Sequence, residues 1–184
     1  DKAIESESSA KDARAWYIRG IVYKRLHEIA HLTENIKVGM PEAEVNTFLN
    51  EPESTRNYRK IEEGVKNVYV FGLTVYFSKG VVHSYEFDNE EVLAKADDGF
   101  DALDIAYKSF QKSIAIDPDY IGNPQHVSRT ANQGIQRVAQ AYFNNGIIQL
   151  KAGVNETALG EFERAMNCYK VSGSRRNANL VYYA

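Results

Sequence analysis

One cysteine, Cys168, is all this chain has, so no internal disulfide is available and any core must be held by packing. Long hydrophobic runs are missing too. No stretch approaches the roughly 18 apolar residues that a membrane-crossing helix needs. Charge of one sign is also scarce: 22 Lys and Arg stand against 25 Asp and Glu, a net charge of −3. Arg175–Arg176 is the only adjacent arginine pair. That balance argues against a surface dedicated to nucleic acid. A glycine-rich phosphate loop, a G-x-S-x-G elbow and a C-x-x-C pair are absent, which removes the commonest signatures of nucleotide, acyl-transfer and thiol chemistry. The chain opens at Asp1 rather than Met, as expected either of a processed product or of a piece cut from a longer chain, with any targeting segment removed.

What is present is a globular balance, with 43% hydrophobic and 26% charged residues, enough to build one large domain or two small ones. Residues 10–32 predict a helix, because Trp16, Ile18, Ile21, Val22, Leu26 and Ile29 recur mostly at three- and four-residue steps. Residues 100–116 repeat that pattern and stop before Pro118, which disfavours a helical residue ahead of it. Pro124 suits the first turn of a long helix to about Lys151. Gly153 ends it, Asn155 caps the next, and Thr157 to Tyr169 complete its partner.

Within these helices two sets of landmarks share one spacing. The later set is Tyr142, Gly146, Ala158, Phe162 and Ala165; the earlier is Trp16, Gly20, Tyr23, then Ala106, Phe110, Ser113 and Pro118. The small residues suit the closest approach of two antiparallel helices, and the aromatic ones fill the space beside it. Gly146 and Ala158 are 12 positions apart, but Gly20 and Ala106 are 86 apart. A helix–helix turn of about 2–8 residues does not account for the difference. The pattern resembles the tetratricopeptide repeat family, with the first copy split by an insertion. Arg19 stands where that family usually has an aliphatic residue, Ser113 where it has Ala, and Lys170 where it has Pro. The resemblance implies antiparallel helical hairpins over 1–32 and 99–184. It also implies that both chain ends cut through a longer array, Ala3 closing one repeat and Asn177 to Ala184 opening another.

Between 33 and 98 the periodicity changes. Pro41 opens a short helix with Val45, Phe48 and Leu49 on one side, ended by Asn50-Glu51-Pro52. Strands follow over 67–71, 73–77 and 81–87, the middle one alternating Leu73, Val75 and Phe77 with Thr74 and Tyr76. Ser78-Lys79-Gly80 makes a hairpin connection, and residues 89–98 read as a return linker. Ile36-Lys37-Val38-Gly39-Met40, then Glu44-Val45, Leu49 and Pro52, then Gly72-Leu73-x-Val75-x-Phe77 and Gly80-x-Val82, resemble the SmpA/OmlA or BamE-like family. That resemblance implies a small periplasmic α+β domain with helices on a three-stranded antiparallel sheet, which binds other proteins and has no catalytic residues. The fold class expected is therefore α+β: helical hairpins with an α+β insert.

His27-Glu28-Ile29-Ala30-His31 fits H-E-x-x-H, which on a helix sets two imidazoles one turn apart for zinc with a glutamate as general base. The continuation Leu32-Thr33-Glu34-Asn35 supplies no third ligand, and Leu26, Ile29 and Ala30 equally serve a packing face. His27 and His31 remain the candidate ligands of an alternative reading, a zinc-dependent hydrolase. His83 and His126 lack ligand-spaced companions, and Asn155-Glu156-Thr157 reads as capping rather than glycosylation.

By analogy with repeat arrays, a peptide groove would be lined by Tyr17, Ile21, Lys24, Arg25, Phe143, Ile147 and Lys151. Tyr17 and Ile21 occupy the places where chaperone-binding members carry Lys and Asn, which disfavours a carboxylate clamp. The leading expectation is a non-enzymatic scaffold without cofactor. It binds a protein or peptide partner, not nucleic acid, in the periplasm or cell envelope. Self-association would run through an edge strand within Leu73 to Phe87.

Overall fold

The computed structural model describes residues 4, 6–48, 57–60, 65–70, 73–87, 101–122 and 129–174. The protein is of the α+β class: helices together with a four-stranded antiparallel sheet. Its contacts divide it into two compact units, Asp1–Lys24 with Asp101–Ala184, and Arg25–Phe100.

The first unit holds α1 (Glu7–Ala10), the opening of α2 (Ala13–Asn35), α4 (Ala102–Ile116), α5 (Ala131–Lys151) and α6 (Asn155–Val171). The helix expected over 10–32 starts at Ala13 as α2, and a separate turn, α1, capped by Ser6, precedes it. Asp12 Oδ1 accepts from the Arg14 N–H at 2.9 Å, and the Trp16 indole ties the two together by donating to the Ala10 carbonyl at 2.9 Å.

The caps of α4 to α6 follow local rules. Asp101 caps α4 by accepting from the Asp104 N–H at 2.9 Å. The long helix starts at Ala131, not near Pro124, which lies outside the described residues. Thr130 and Gln133 form a reciprocal capping box there, a stronger start signal than proline because it satisfies two orphan donors at once. Both α5 and α6 end in a Schellman motif around a left-handed glycine. Val154 donates to Gln149 and Ser174 to Tyr169, with Gly153 and Gly173 at φ of 79° and 75°. Asn155 is the first residue of α6 rather than its cap; Val154 holds that position and offers no side-chain acceptor.

The core of this unit gathers Leu103, Phe110, Ile135 and Val138, each essentially inaccessible, around Tyr17, Tyr142 and Tyr169. Each such aliphatic or phenyl side chain contributes about 1.5–3 kcal/mol on burial. In this unit α2 buries Ala13, Tyr17, Gly20 and Lys24, steps of four, three and four. Ile18 and Val22, expected in the packing stripe, are 44% and 48% exposed. Two polar side chains span the long sequence gap. Arg19 donates to Ser109 Oγ at 2.6 Å, and Ser113 Oγ donates to the Ala13 carbonyl at 2.9 Å. The Arg19 guanidinium lies over Tyr23 at 4.8 Å and Trp16 at 5.7 Å. Both departures from the repeat pattern, Arg19 and Ser113, are thus polar links to residues some ninety to a hundred positions away.

The second unit holds the rest of α2, then α3 (Glu42–Phe48), β1 (Asn57–Lys60), β2 (Val65–Val70), β3 (Leu73–Ser78) and β4 (Val81–Phe87), in sheet order β1-β2-β3-β4. Four strands replace the three expected. The additional one, Asn-Tyr-Arg-Lys, has no apolar alternation to announce it, and its charge suits an edge. Leu73, Val75 and Phe77 are buried while Thr74, Tyr76 and Ser78 are half-buried, and the first three form a core with Ile36, Val45 and Val82. The β3–β4 turn has positive φ at both Lys79 (53°) and Gly80 (78°), the sign pattern of a two-residue type I′ hairpin. Residues 36–41 fold back on that hairpin. Gly39 donates to the Val82 carbonyl and Val82 to the Met40 carbonyl, both at 2.8 Å, with Gly39 at φ 88°. Within Leu73 to Phe87, β3 is interior and β4 is the edge strand of the sheet, with only its start bonded to residues 39–41. Asn50-Glu51-Pro52, residues 89–98 and the tail 177–184 lie outside the described residues.

Candidate binding cleft

Two contacts of the same kind organise the first unit. A Cβ on Gly20 would lie 2.7 Å from the Phe110 ring, and one on Gly146 would lie 2.6 Å from the Phe162 ring. At each glycine a phenyl ring from the partner helix occupies the space a side chain would take. Gly134 presses the Phe110 ring as well, at 2.5 Å from a notional Cβ, so that ring is held by two glycines. Ala106, Ala158, Ala165 and Ser113 are buried beside these contacts, Trp16, Tyr23 and Phe162 are half-buried, and Pro118 is exposed.

The residues expected to line a groove do not share one exposed surface. Tyr17 is 4% and Lys24 2% exposed. The Tyr17 ring meets Phe110 at 6.1 Å and Tyr120 at 5.6 Å, both edge-on, and closes against Gly122. Ile21 and Phe143 pack on the core, and the Phe143 ring lies 5.6 Å from that of Phe162. Ile147 is half-buried, Lys151 is exposed, and Arg25 belongs to the second unit. Counting helix positions places side chains on a helix; it does not say which of them another segment covers.

The first unit has a cleft of about 630 Å³ elsewhere, where α4, α5 and α6 converge. Asp101, Asp104, Tyr107, Tyr142, Arg164, Asn167, Cys168, Lys170 and Val171 line it. Its charged groups are largely paired. Asp101 Oδ1 caps α4 while Oδ2 accepts from Arg164 at 2.8 Å, and Asp104 is 2.6 Å from Lys108. The Arg164 guanidinium lies over the Tyr142 ring at 5.6 Å and 3.7 Å from Glu161, which accepts from Asn145 at 3.4 Å. Burial, followed by the coulombic effect of Asp101, pushes the Tyr142 phenol well above its ordinary range, against the opposing pull of Arg164. Burial also raises Tyr107, with Cys168 and Asp104 adding to it. The Cys168 thiol is pushed up to about 12 by burial and then by Asp104, so near neutral pH it is a protonated, unreactive filler. Of these residues the sequence singled out only Tyr142, Cys168 and Lys170, for packing or for the repeat pattern. Asp101 and Arg164 meet across 63 positions, which leaves no local signal.

In the second unit the His27 and His31 rings stack with centroids 5.9 Å apart and planes 16° apart. Among the described residues no group of three or more His, Cys, Asp or Glu is placed to hold a metal ion. Nor, among them, is any helix long and apolar enough to cross a membrane. No family model, curated protein or solved structure matches this chain.

Proposed function

We propose that this protein is a non-enzymatic interaction scaffold. In this reading the helical part is tetratricopeptide-like and discontinuous, over 1–32 and 99–184, and residues 33–98 form a BamE-like insert that provides a second recognition surface. The observation that carries the proposal is the repeated glycine–phenyl contact. Gly20 meets Phe110 as Gly146 meets Phe162, although 90 positions separate the first pair and 16 the second. Two hairpins closed by one glycine–phenyl device suit an array of stacked repeats. The fold-back of residues 36–41 onto the β3–β4 hairpin gives the Ile36-to-Met40 string of the insert a structural purpose. Proteins of this organisation act by presenting surfaces, and the partner class is a protein or an extended peptide. Placement in the bacterial envelope rests on the resemblance of the insert alone.

The test is selection of a displayed random-peptide library on the full chain, with metal analysis of protein purified without chelator. The scaffold reading expects enriched peptides that bind one-to-one by calorimetry, and metal well below stoichiometric. Stoichiometric zinc that disappears in His31→Ala, together with hydrolysis of a peptide or ester substrate, would overturn it.

A further inference from the structure

Hydrogen-bonding capacity in the cleft is unequally used. Tyr142 and Tyr169 are comparably buried, at 4% and 5% exposure, in the packing of α5 and α6. The Tyr169 hydroxyl donates to Gln140 Oε1 at 3.1 Å, and Gln140 in turn donates to Asn144. Tyr142 lines the cleft, and among the described residues its hydroxyl has no hydrogen-bond partner. The Tyr142 oxygen is not sealed from solvent, so it can donate to whatever occupies the cleft. Tyr107 accepts from Gln111 Nε2 at 2.9 Å, which leaves its own proton uncommitted. The exposed Asn167 side chain has no partner among the described residues either. The carboxylates are in the opposite condition, since Asp101 and Asp104 already hold Arg164 and Lys108. The cleft therefore has uncommitted hydrogen-bond donors, and its charges are committed except for exposed Lys170.

We propose that this cleft takes a neutral hydrogen-bond acceptor, the main-chain carbonyls of an extended peptide segment, with Tyr142 and Tyr107 donating from the walls and Asn167 from the rim. The claim rests on reading the chain as an interaction scaffold and places the partner on the α4–α5–α6 side rather than in the Tyr17–Lys24 row. A volume of about 630 Å³ lies within the usual range for ligand pockets, about 300–1,000 Å³. A carboxylate suits the site less well. Burial and Asp101 both act against a negative charge at the Tyr142 oxygen, and a ligand anion would meet the same opposition. A guanidinium or ammonium would have to displace Arg164, which already lies over the Tyr142 ring with Asp101 as its counter-ion.

Three small probes titrated into the full chain and followed by NMR decide this: N-acetylglycine N-methylamide, acetate and methylguanidinium. The expected result is a saturable shift of the Tyr142 ring and Asn167 amide signals with the neutral probe alone. Affinity should fall about five- to tenfold in Tyr142→Phe, which removes one hydroxyl and keeps the ring. Asn167→Ala, at an exposed position, should weaken binding without changing the melting temperature. Shifts elicited by acetate or methylguanidinium but not by the neutral probe would overturn the proposal, as would no saturable shift, or an affinity unchanged in Tyr142→Phe. If library peptides bind equally well to Tyr142→Phe, the cleft assignment fails and the scaffold stands. If the neutral probe binds the cleft and no library peptide binds anywhere, the scaffold fails and the cleft assignment stands.

Discussion

Adding one methyl group at Gly20 should destabilise the protein, although the same change at Gly160 should stabilise it. Both glycines are inside helices, where alanine is intrinsically better by about 0.5–1 kcal/mol. What differs is the space. A Cβ on Gly160 meets nothing within 4 Å, whereas one on Gly20 meets three Phe110 ring carbons at 2.7–2.8 Å. Carbon atoms settle at about 3.5–4.0 Å, so the ring or the helix must move by about 1 Å. Phe110 is fully buried and is pressed from another side by Gly134, so the ring cannot simply slide away. Overpacking of this kind costs about 1–3 kcal/mol. Subtracting the helix-propensity gain leaves Gly20→Ala about 0–2.5 kcal/mol less stable, and Gly160→Ala about 0.5–1 kcal/mol more stable. At about 2–4 °C per kcal/mol for a chain of this length, the two variants should separate in opposite directions from wild type. Gly146→Ala should cost less than Gly20→Ala, because Phe162 is half-buried and has somewhere to go. Thermal and urea unfolding measure all three, and Gly20→Ala combined with Phe110→Leu should recover part of the loss. If Gly20→Ala is as stable as Gly160→Ala, α2 does not pack on α4 as described, and the split repeat loses its support.

Two further outcomes are expected. Burial raises the Glu161 carboxyl above its ordinary value, against the opposing effects of the Asn145 hydrogen bond and Arg164. A carboxyl with a raised folded-state pKa binds more protons folded than unfolded, so its contribution turns unfavourable as pH rises from the unfolded value through the folded one. Glu161→Gln should therefore melt no lower than wild type at pH 7, with its relative advantage shrinking as pH falls below the carboxylate range. A larger loss at pH 7 than in acid would show that the Arg164 contact outweighs desolvation. In the second unit, Lys79 carries a φ of 53° that a lysine rarely adopts, followed by Gly80 at 78°. Lys79→Asn places Asn-Gly in a type I′ turn and should raise stability by a few tenths of a kcal/mol, about the lower end of turn effects. Hydrogen exchange across β3 and β4 reads it, and faster exchange in the variant would contradict the turn assignment.

Local chemistry made much of the fold legible in advance. The extents of α4 and the later part of α5 followed from three- and four-residue periodicity with Pro118 and Gly153 as stops, and β3 from strict alternation. Capping was read less well, because Thr130 with Gln133 outcompeted the proline signal at 124 and Val154 took the place given to Asn155. The register of α2 was misjudged. Ile18 and Val22 have the right hydrophobicity for a core, yet it is Tyr17 and Lys24 that are buried. The Asn57–Lys60 strand was missed because an edge strand pairs through its backbone, which no side-chain pattern has to advertise.

The cleft was beyond the sequence for a similar reason. Its donors come from three helices, and each is an ordinary exposed-face or packing residue within its own helix. Sequence by itself determined the approximate extents of α4, of the later part of α5, of β3 and of the β3–β4 turn, since propensity and periodicity act over a few neighbouring residues. Tertiary structure alone decided which faces are covered, that Gly20 meets Phe110 across 90 positions, and that the Tyr142 hydroxyl has no hydrogen-bond partner among the described residues. Those outcomes depend on which distant segments pack together, and on the few tenths of an ångström of room a ring or a methyl group finds when they do.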